Sequence, residues 1–342
     1  MENLIVISVD TRPAVAMLVD PKWRQRIFSP ASLERLSMFA RLIPDTEVAL
    51  SEERLPELLN GAVACLTGWG TPTLTDATLE QAPSLRLIAH TAGSVHHLVP
   101  ETIFERGVRV THAAAALAEG VAEFTVLQIL QSLRRLDQFE RRLRAGEPWH
   151  VLSHTPGHLL STQTVGLVGA SRIGRDVIGL LHPFGCRLLM FDPYLTPEEA
   201  REMGVELCEL DDLFASSDIV SLHAPLLPTT RGMITSRHLA LLRDGGVLVN
   251  TARAGLVDED ALVCELVSGR INAALDVFVQ EPLPDEHPFR TLPNVLISPH
   301  VAAMTCETLL KQGEMMVDEI LRFLAGEPLL YEIRPEKFAI MA

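Results

Sequence analysis

Short aliphatic runs alternate with stretches of helical periodicity along most of the chain. In the first part the runs fall at residues 4–9 (LIVISV), 62–66, 85–89 and 108–111, with helical patterns such as residues 30–42 and 100–105 between them. Parallel strands need crossover connections, so this alternation predicts a parallel sheet wrapped by helices. A long segment follows, residues 118–146, AEGVAEFTVLQILQSLRRLDQFERRLRAG. Its first half is apolar nearly all round, and its last turns carry Arg134, Arg135, Arg141, Arg142 and Arg144 before Gly146. The pattern predicts one long helix with cations at the negative end of its dipole and glycine as its stop. A helix apolar on most faces must be covered on most faces, either by burial between domains or by a second copy of the chain.

After a loop rich in Pro, Gly, Ser and His, the alternation restarts. Strands are predicted at residues 164–168, 187–191, 219–222, 247–249, 272–275 and 295–297, with a helix over 173–182 and further helical patterns between the rest. A last helix, residues 307–324, is placed to return the chain to the first domain and make that domain discontinuous. The length of 342 residues agrees, being too great for one ordinary core. The class is therefore α/β, two doubly wound parallel-sheet lobes, with residues 116–303 as one domain inserted into another made of 1–115 and 304–342. Two domains imply a cleft.

The stretch VGLVGASRIGRDV, residues 165–177, joins the first strand of the second lobe to its helix. A G-x-G-x-x-G turn in this position seats a pyrophosphate on a helix start, and here it reads Gly169, Ser171 and Gly174. A serine adds only a Cβ and a hydroxyl that can itself donate to a phosphate oxygen, while the amides at the helix start stay available. The next strand ends in Asp192 of FDPY, where a carboxylate accepts ribose hydroxyls and repels a 2′-phosphate. This predicts NAD rather than NADP.

Ligands of open parallel sheets lie beyond the carboxyl ends of the strands. Past the last three strands stand Arg253, then Asp276 and Glu281, then His300. Reduction of a 2-oxo acid needs a cation on the carboxylate and ketone, a proton donor for the developing alkoxide, and a hydride. Arg253 offers the planar fork and His300 the proton. Glu281 would orient the imidazole, and Asp276 is expected on the nicotinamide side.

A formal charge of -15 argues against nucleic acid and anionic lipid as partners. No run approaches a membrane span, the acidic start MENLIVISVD lacks the basic residues of a signal peptide, and the five cysteines contain no C-x-x-C pair. A reducing, cytoplasmic setting is the expectation.

With these residues in hand the chain resembles the D-isomer-specific 2-hydroxyacid dehydrogenase family over nearly its whole length. The segments are VGLVGASRIG with FDPY, SLHAPLLPTTRGMI, VNTARAGLVDEDAL, ALDVFVQEPLP and NVLISPHVAAMT. The resemblance implies a Rossmann NAD-binding domain inserted in a flavodoxin-like substrate and catalytic domain, NAD as hydride carrier, and a homodimer built partly on the long helix. It assigns substrate binding to Arg253, the histidine partner to Glu281, and the acid and base role to His300. Around the cofactor it places Arg172, Ile173, Asp192, Ala224, Thr230, Thr251 and Asp276, along with the glycine turn. It gives carboxylate binding to the amides near Ala92, Gly93 and Ser94. The chain departs from the family at Ser171, at Ala254 where glycine is usual, and at His96 and His97 where Asp-Asn is common. Adjacent strand histidines point apart and no third ligand is near, so no metal is expected there. Two rivals stay open: a dehydrogenase of another small anion such as phosphite or formate, and an NAD-responsive, corepressor-like binding protein. Trp69 is a further candidate for the pocket wall.

Overall fold

A computed structural model describes residues 10–44 and 49–338. The strand expected at residues 4–9 lies outside the described residues. The chain forms two compact units, one comprising the segments up to Leu117 and from Thr305 onward, the other Ala118–Met304.

In the first unit, strands β1 (Ala14–Leu18), β2 (Arg41–Ile43), β3 (Ala62–Thr67), β4 (Leu87–His90) and β5 (Arg109–His112) form a parallel sheet in the order β2-β1-β3-β4-β5. This is the flavodoxin-like order, with its switch point between β1 and β3. The alternation missed β1 because all five residues of AVAML are buried, so no period of two shows, and alanine is a poor strand former. The helix expected over 30–42 ends at Ser37, and its tail is instead β2, paired with β1. The helix expected over 100–105 is a single 3₁₀ turn, Glu101–Ile103. The helix Cys306–Ala325 packs on β4 and completes this unit, and beyond it Glu332 bridges to Thr111 on the outer side of β5.

The second unit holds β6 (Thr164–Val168), β7 (Arg187–Phe191), β8 (Glu206–Leu207), β9 (Ile219–Leu222), β10 (Val247–Asn250), β11 (Asn272–Leu275) and β12 (Val295–Ile297). All pairs are parallel, in the order β12-β11-β10-β9-β6-β7-β8. Counted from β6, this is the dinucleotide-binding order extended by one strand, with its switch point between β6 and β9. Successive residues point to opposite faces. Leu248, Ala273 and Leu275 enter one core, while Val247, Val249 and Ala274 enter the other. The long helix is two: Ala114–Arg134 and Leu136–Arg144, broken at Arg135, whose φ of 53° lies in the left-handed region. Ala122, Val126, Ile129 and Leu133 form the stripe that covers the sheet. The arginines of the second helix are not held by a helix end alone, since Arg141, Arg144 and Arg142 pair with Asp137, Glu140 and Glu147.

One tight contact fixes Cys306–Ala325 in place. A Cβ on Gly313 would lie 2.0 Å from the Ile27 carbonyl oxygen, which is backbone and cannot swing aside. Alanine would gain about 1 kcal/mol of helix propensity, and overpacking would cost about 1–3 kcal/mol. With a contact this short the steric cost decides the sign. Gly313→Ala should therefore lower the denaturation midpoint of the first unit, and an unchanged or raised midpoint in a urea titration would contradict this packing.

Candidate active site

The glycine turn survives its serine because that position needs no glycine geometry. Ser171 has φ -60° and ψ 174°, caps the helix Arg172–Leu181, and accepts the Gly174 N–H on its Oγ at 3.3 Å. Its hydroxyl proton is left to donate outward, and the Arg172 and Ile173 amides, first in the helix, lack intrahelical acceptors. The two true glycines are required. Gly169 has φ +102°, and a Cβ there would meet the Ala224 nitrogen at 2.7 Å; a Cβ on Gly174 would lie 2.3 Å from the Gly169 carbonyl oxygen. Asp192 is half-buried beside this turn, accepting from Ala170 N at 2.7 Å and Tyr194 N at 2.8 Å. Each of its oxygens keeps a further lone pair.

Beyond β12, His300 Nδ1 lies 2.7 Å from Glu281 Oε2, and Glu281 Oε1 accepts the Phe278 N–H at 3.0 Å. The carboxylate is thus clamped between its own loop and the imidazole. Both side chains are open to solvent and face a depression of about 530 Å³ whose walls include Phe278, Leu283 and Ile297. Arg253, after β10, is half-buried; burial pulls its pKa down and the nearby Glu281 charge opposes the fall, leaving a guanidinium that stays protonated. Arg253, Glu281 and His300 therefore share one sheet edge of one unit, as expected.

Three residues expected on the cofactor have side chains engaged inside the protein. Asp276 is fully buried, with Oδ1 taken by Ser298 Oγ (2.5 Å) and Val301 N (3.0 Å) and Oδ2 by Ala302 N (2.8 Å). Rather than facing outward, it braces the segment that carries His300. The Thr251 hydroxyl bonds Thr125 Oγ1 at 2.7 Å, and the Thr230 hydroxyl accepts from Leu227 N and donates to Pro225 O. For Asp276 and Thr251 the reason is shared: a buried polar group must find a partner where it lies. Thr230 is half-buried, and its bonds close its own turn.

Sequence reasoning missed Gln128, which donates to Ser298 Oγ at 3.2 Å, because its partner lies 170 positions away. It also missed His223, directly after β9 in a segment read only for Ala224 and Thr230. His223 is buried against the glycine turn, its Nε2 2.9 Å from Ser221 Oγ, and burial pushes its pKa down to about 4.

Ala92, Gly93 and Ser94 belong to the other unit, in the loop after β4. His96 packs on Phe338 with ring centroids 4.5 Å apart, and His97 meets His90 edge-on at 6.1 Å. Trp69 packs on Trp23 at 4.8 Å, beyond the ends of β3 and β1. Among the described residues no group of three or more His, Cys, Asp or Glu could hold a metal ion, and no helix is long and apolar enough to cross a membrane.

A sequence profile described as D-isomer specific 2-hydroxyacid dehydrogenase, NAD binding domain, matches residues 126–302. A D-3-phosphoglycerate dehydrogenase of Methanocaldococcus jannaschii is 36% identical over 289 residues, 83% of this chain and 54% of that one. A glyoxylate reductase of Aeropyrum pernix is 38% identical over 258 residues, 73% of this chain and 76% of that one. The chain thus spans about half of the first relative and about three quarters of the second. The crystal structure of a glyoxylate reductase from Paecilomyes thermophila superposes with a TM-score of 0.81 at 26% identity, covering 96% of this chain and all of that one. The tight turn at Gly169 and Gly174, the open amides after it and the acid beside it fit a bound dinucleotide.

Two buried histidines set an acid limit. His90 is pushed down to about 3, by burial first and then by His97 and His112, and His223 to about 4 by burial. In the unfolded chain histidine titrates near 6.5, so below that pH the unfolded state binds more protons. Stability is then full above pH 6.5 and falls as pH drops, by about 1.4 kcal/mol per pH unit for each histidine, until the folded values are reached. Melting curves between about pH 7.5 and about pH 5.5 should show a declining Tm that His223→Gln makes shallower; a flat profile for the natural protein would contradict the burial of neutral imidazoles.

Proposed function

The chain belongs to the D-isomer specific 2-hydroxyacid dehydrogenase family, an oxidoreductase family with NAD as cofactor, and from that premise we propose that it interconverts a 2-oxo acid and a D-2-hydroxy acid. The observation that carries the reading is the 2.7 Å His300–Glu281 pair, with Arg253 at the neighbouring strand end.

When bound, NADH supplies hydride to the carbonyl carbon. His300 gives the proton. Its Nδ1–H is held by Glu281, which fixes the ring and leaves Nε2 to protonate the developing alkoxide; in the reverse direction the same nitrogen is the base. Glu281 orients the ring, much as a carboxylate orients the histidine of a hydrolase triad. Arg253 holds the substrate carboxylate and polarises the ketone. For the amides of Ala92, Gly93 and Ser94, in the first unit, the proposed role is to bind a substrate carboxylate. Ser171, Arg172 and Ile173 would hold the pyrophosphate, with Gly169 and Gly174 leaving the room for it and Ala224 behind them, and Asp192 would take the ribose. Asp276 acts at one remove, by fixing the His300 segment.

We propose further that the chain forms a homodimer built partly on the long helix, through its second piece Leu136–Arg144 and the segment that follows. Leu136 and Leu143 share one face of the helix Leu136–Arg144 and are exposed, as are Trp149 (74%), Val151 and Leu159. So many large apolar side chains in one short segment suit a covered surface. The five free cysteines fit a reducing, cytoplasmic setting.

NADH oxidation across glyoxylate, pyruvate, hydroxypyruvate and bulkier 2-oxo acids tests the reaction, and silence with every one would favour an NAD-responsive binding protein. His300→Gln should lower kcat by about 10²–10⁴-fold while the Kd for NADH stays within about two-fold; an unchanged kcat removes His300 from proton transfer. By light scattering, the natural protein should have twice the chain mass, and Leu136→Asp combined with Trp149→Asp should halve it. A natural protein of single chain mass ends the dimer proposal.

A further inference from the structure

The loop proposed for the substrate carboxylate leaves β4 with its backbone held from one side. The Ala92 carbonyl accepts the Ala113 N–H at 3.0 Å, and the Gly93 carbonyl accepts from His112 Nδ1 at 2.8 Å. Both peptide bonds involved are trans. In a planar trans peptide the N–H points opposite to the preceding carbonyl. Fixing these two carbonyls toward the end of β5 therefore turns the N–H groups of Gly93 and Ser94 away from it. Among the described residues neither N–H has an acceptor in the protein. Two successive amides aimed alike make a concavity for an anion.

The two holding donors differ in kind. Ala113 uses its backbone N–H, which almost any residue would supply and which the His90 carbonyl shares at 3.1 Å. Gly93 is held by a side chain, so the identity of residue 112 decides the second peptide plane. That side chain is well anchored. His112 ends β5 opposite His90, and its N–H donates to the Tyr331 carbonyl at 3.3 Å. The Leu330 and Tyr331 amides are in turn accepted by the fully buried Glu319. Burial keeps the His112 pKa below its ordinary value, and a neutral ring that donates to a carbonyl carries its proton on Nδ1.

We propose that His112 is a positioning residue for substrate binding: its Nδ1–H bond to the Gly93 carbonyl sets the peptide plane that presents the Ser94 amide to the carboxylate of the substrate. This rests on the proposed reaction for the identity of the ligand, whereas the orientation of the loop stands on the hydrogen bonds alone.

The test compares His112→Asn, whose amide can replace the donor, with His112→Leu, which has nearly the same shape and none. Oxalate, a dicarboxylate that cannot be reduced, serves as the probe and is titrated calorimetrically into the NAD-loaded protein, so the result does not depend on turnover. Loss of one hydrogen bond of this kind should weaken oxalate by about ten-fold in the leucine variant and leave the asparagine variant near the natural protein. With any 2-oxo acid that is turned over, KM should rise in parallel while kcat and the KM for NADH change less than about two-fold. Equal oxalate affinity in the leucine variant and the natural protein overturns the proposal, as does equal weakening in both variants or no oxalate binding by the natural protein. Failure of the reaction itself would appear separately, as binding of oxalate without turnover. If the leucine variant melts too low to assay, His112→Phe, which keeps the ring and lacks the donor, takes its place.

Discussion

A single buried carboxylate holds the reactive edge of the second unit together. Asp276 sits where β11 ends, without access to water, and a charge in that position is tolerated only when donors surround it. Ser298, Val301 and Ala302 supply them, all from the segment after β12. His300 stands between these anchors with φ 54°, a left-handed conformation that a residue with a side chain adopts only where its surroundings impose it. The position of the imidazole, and with it the contact to Glu281, follows from the need to satisfy Asp276.

The same logic recurs around the site. Thr251 meets Thr125 and Gln128 meets Ser298, so the helix Ala114–Arg134 is tied to the ends of β10 and β12 by hydrogen bonds as well as by its apolar stripe. Polar side chains at these strand ends divide into two groups. The buried ones bond within the protein and set geometry; the open ones, His300 and Glu281 with the half-buried Arg253, are free to meet a ligand. In the first unit His112 and Ala113 play the part that Asp276 plays in the second, holding a loop from behind so that its other side is presented.

Much of the second unit was legible in the chain itself. Its strands are short, nearly all aliphatic and bounded by turn residues, so their limits were read to within a residue, except for the two-residue edge strand β8, which has no apolar run to betray it. The first unit was harder. AVAML is buried throughout and shows no alternation, and β2 continues a helical pattern until the sheet captures its last residues. The break at Arg135 was invisible because helix-forming residues flank it on both sides.

What the sequence determined alone is the order of elements, the glycine turn and the presence of an arginine, a glutamate and a histidine after consecutive strands, because periodicity and chain order are local properties. The tasks of Asp276, Thr251, Gln128, His223 and His112 were decided only by tertiary structure. Each has its partner elsewhere in the fold or its role through burial, and neither the desolvation of a polar group nor the donor that answers it is written at the position of the residue concerned.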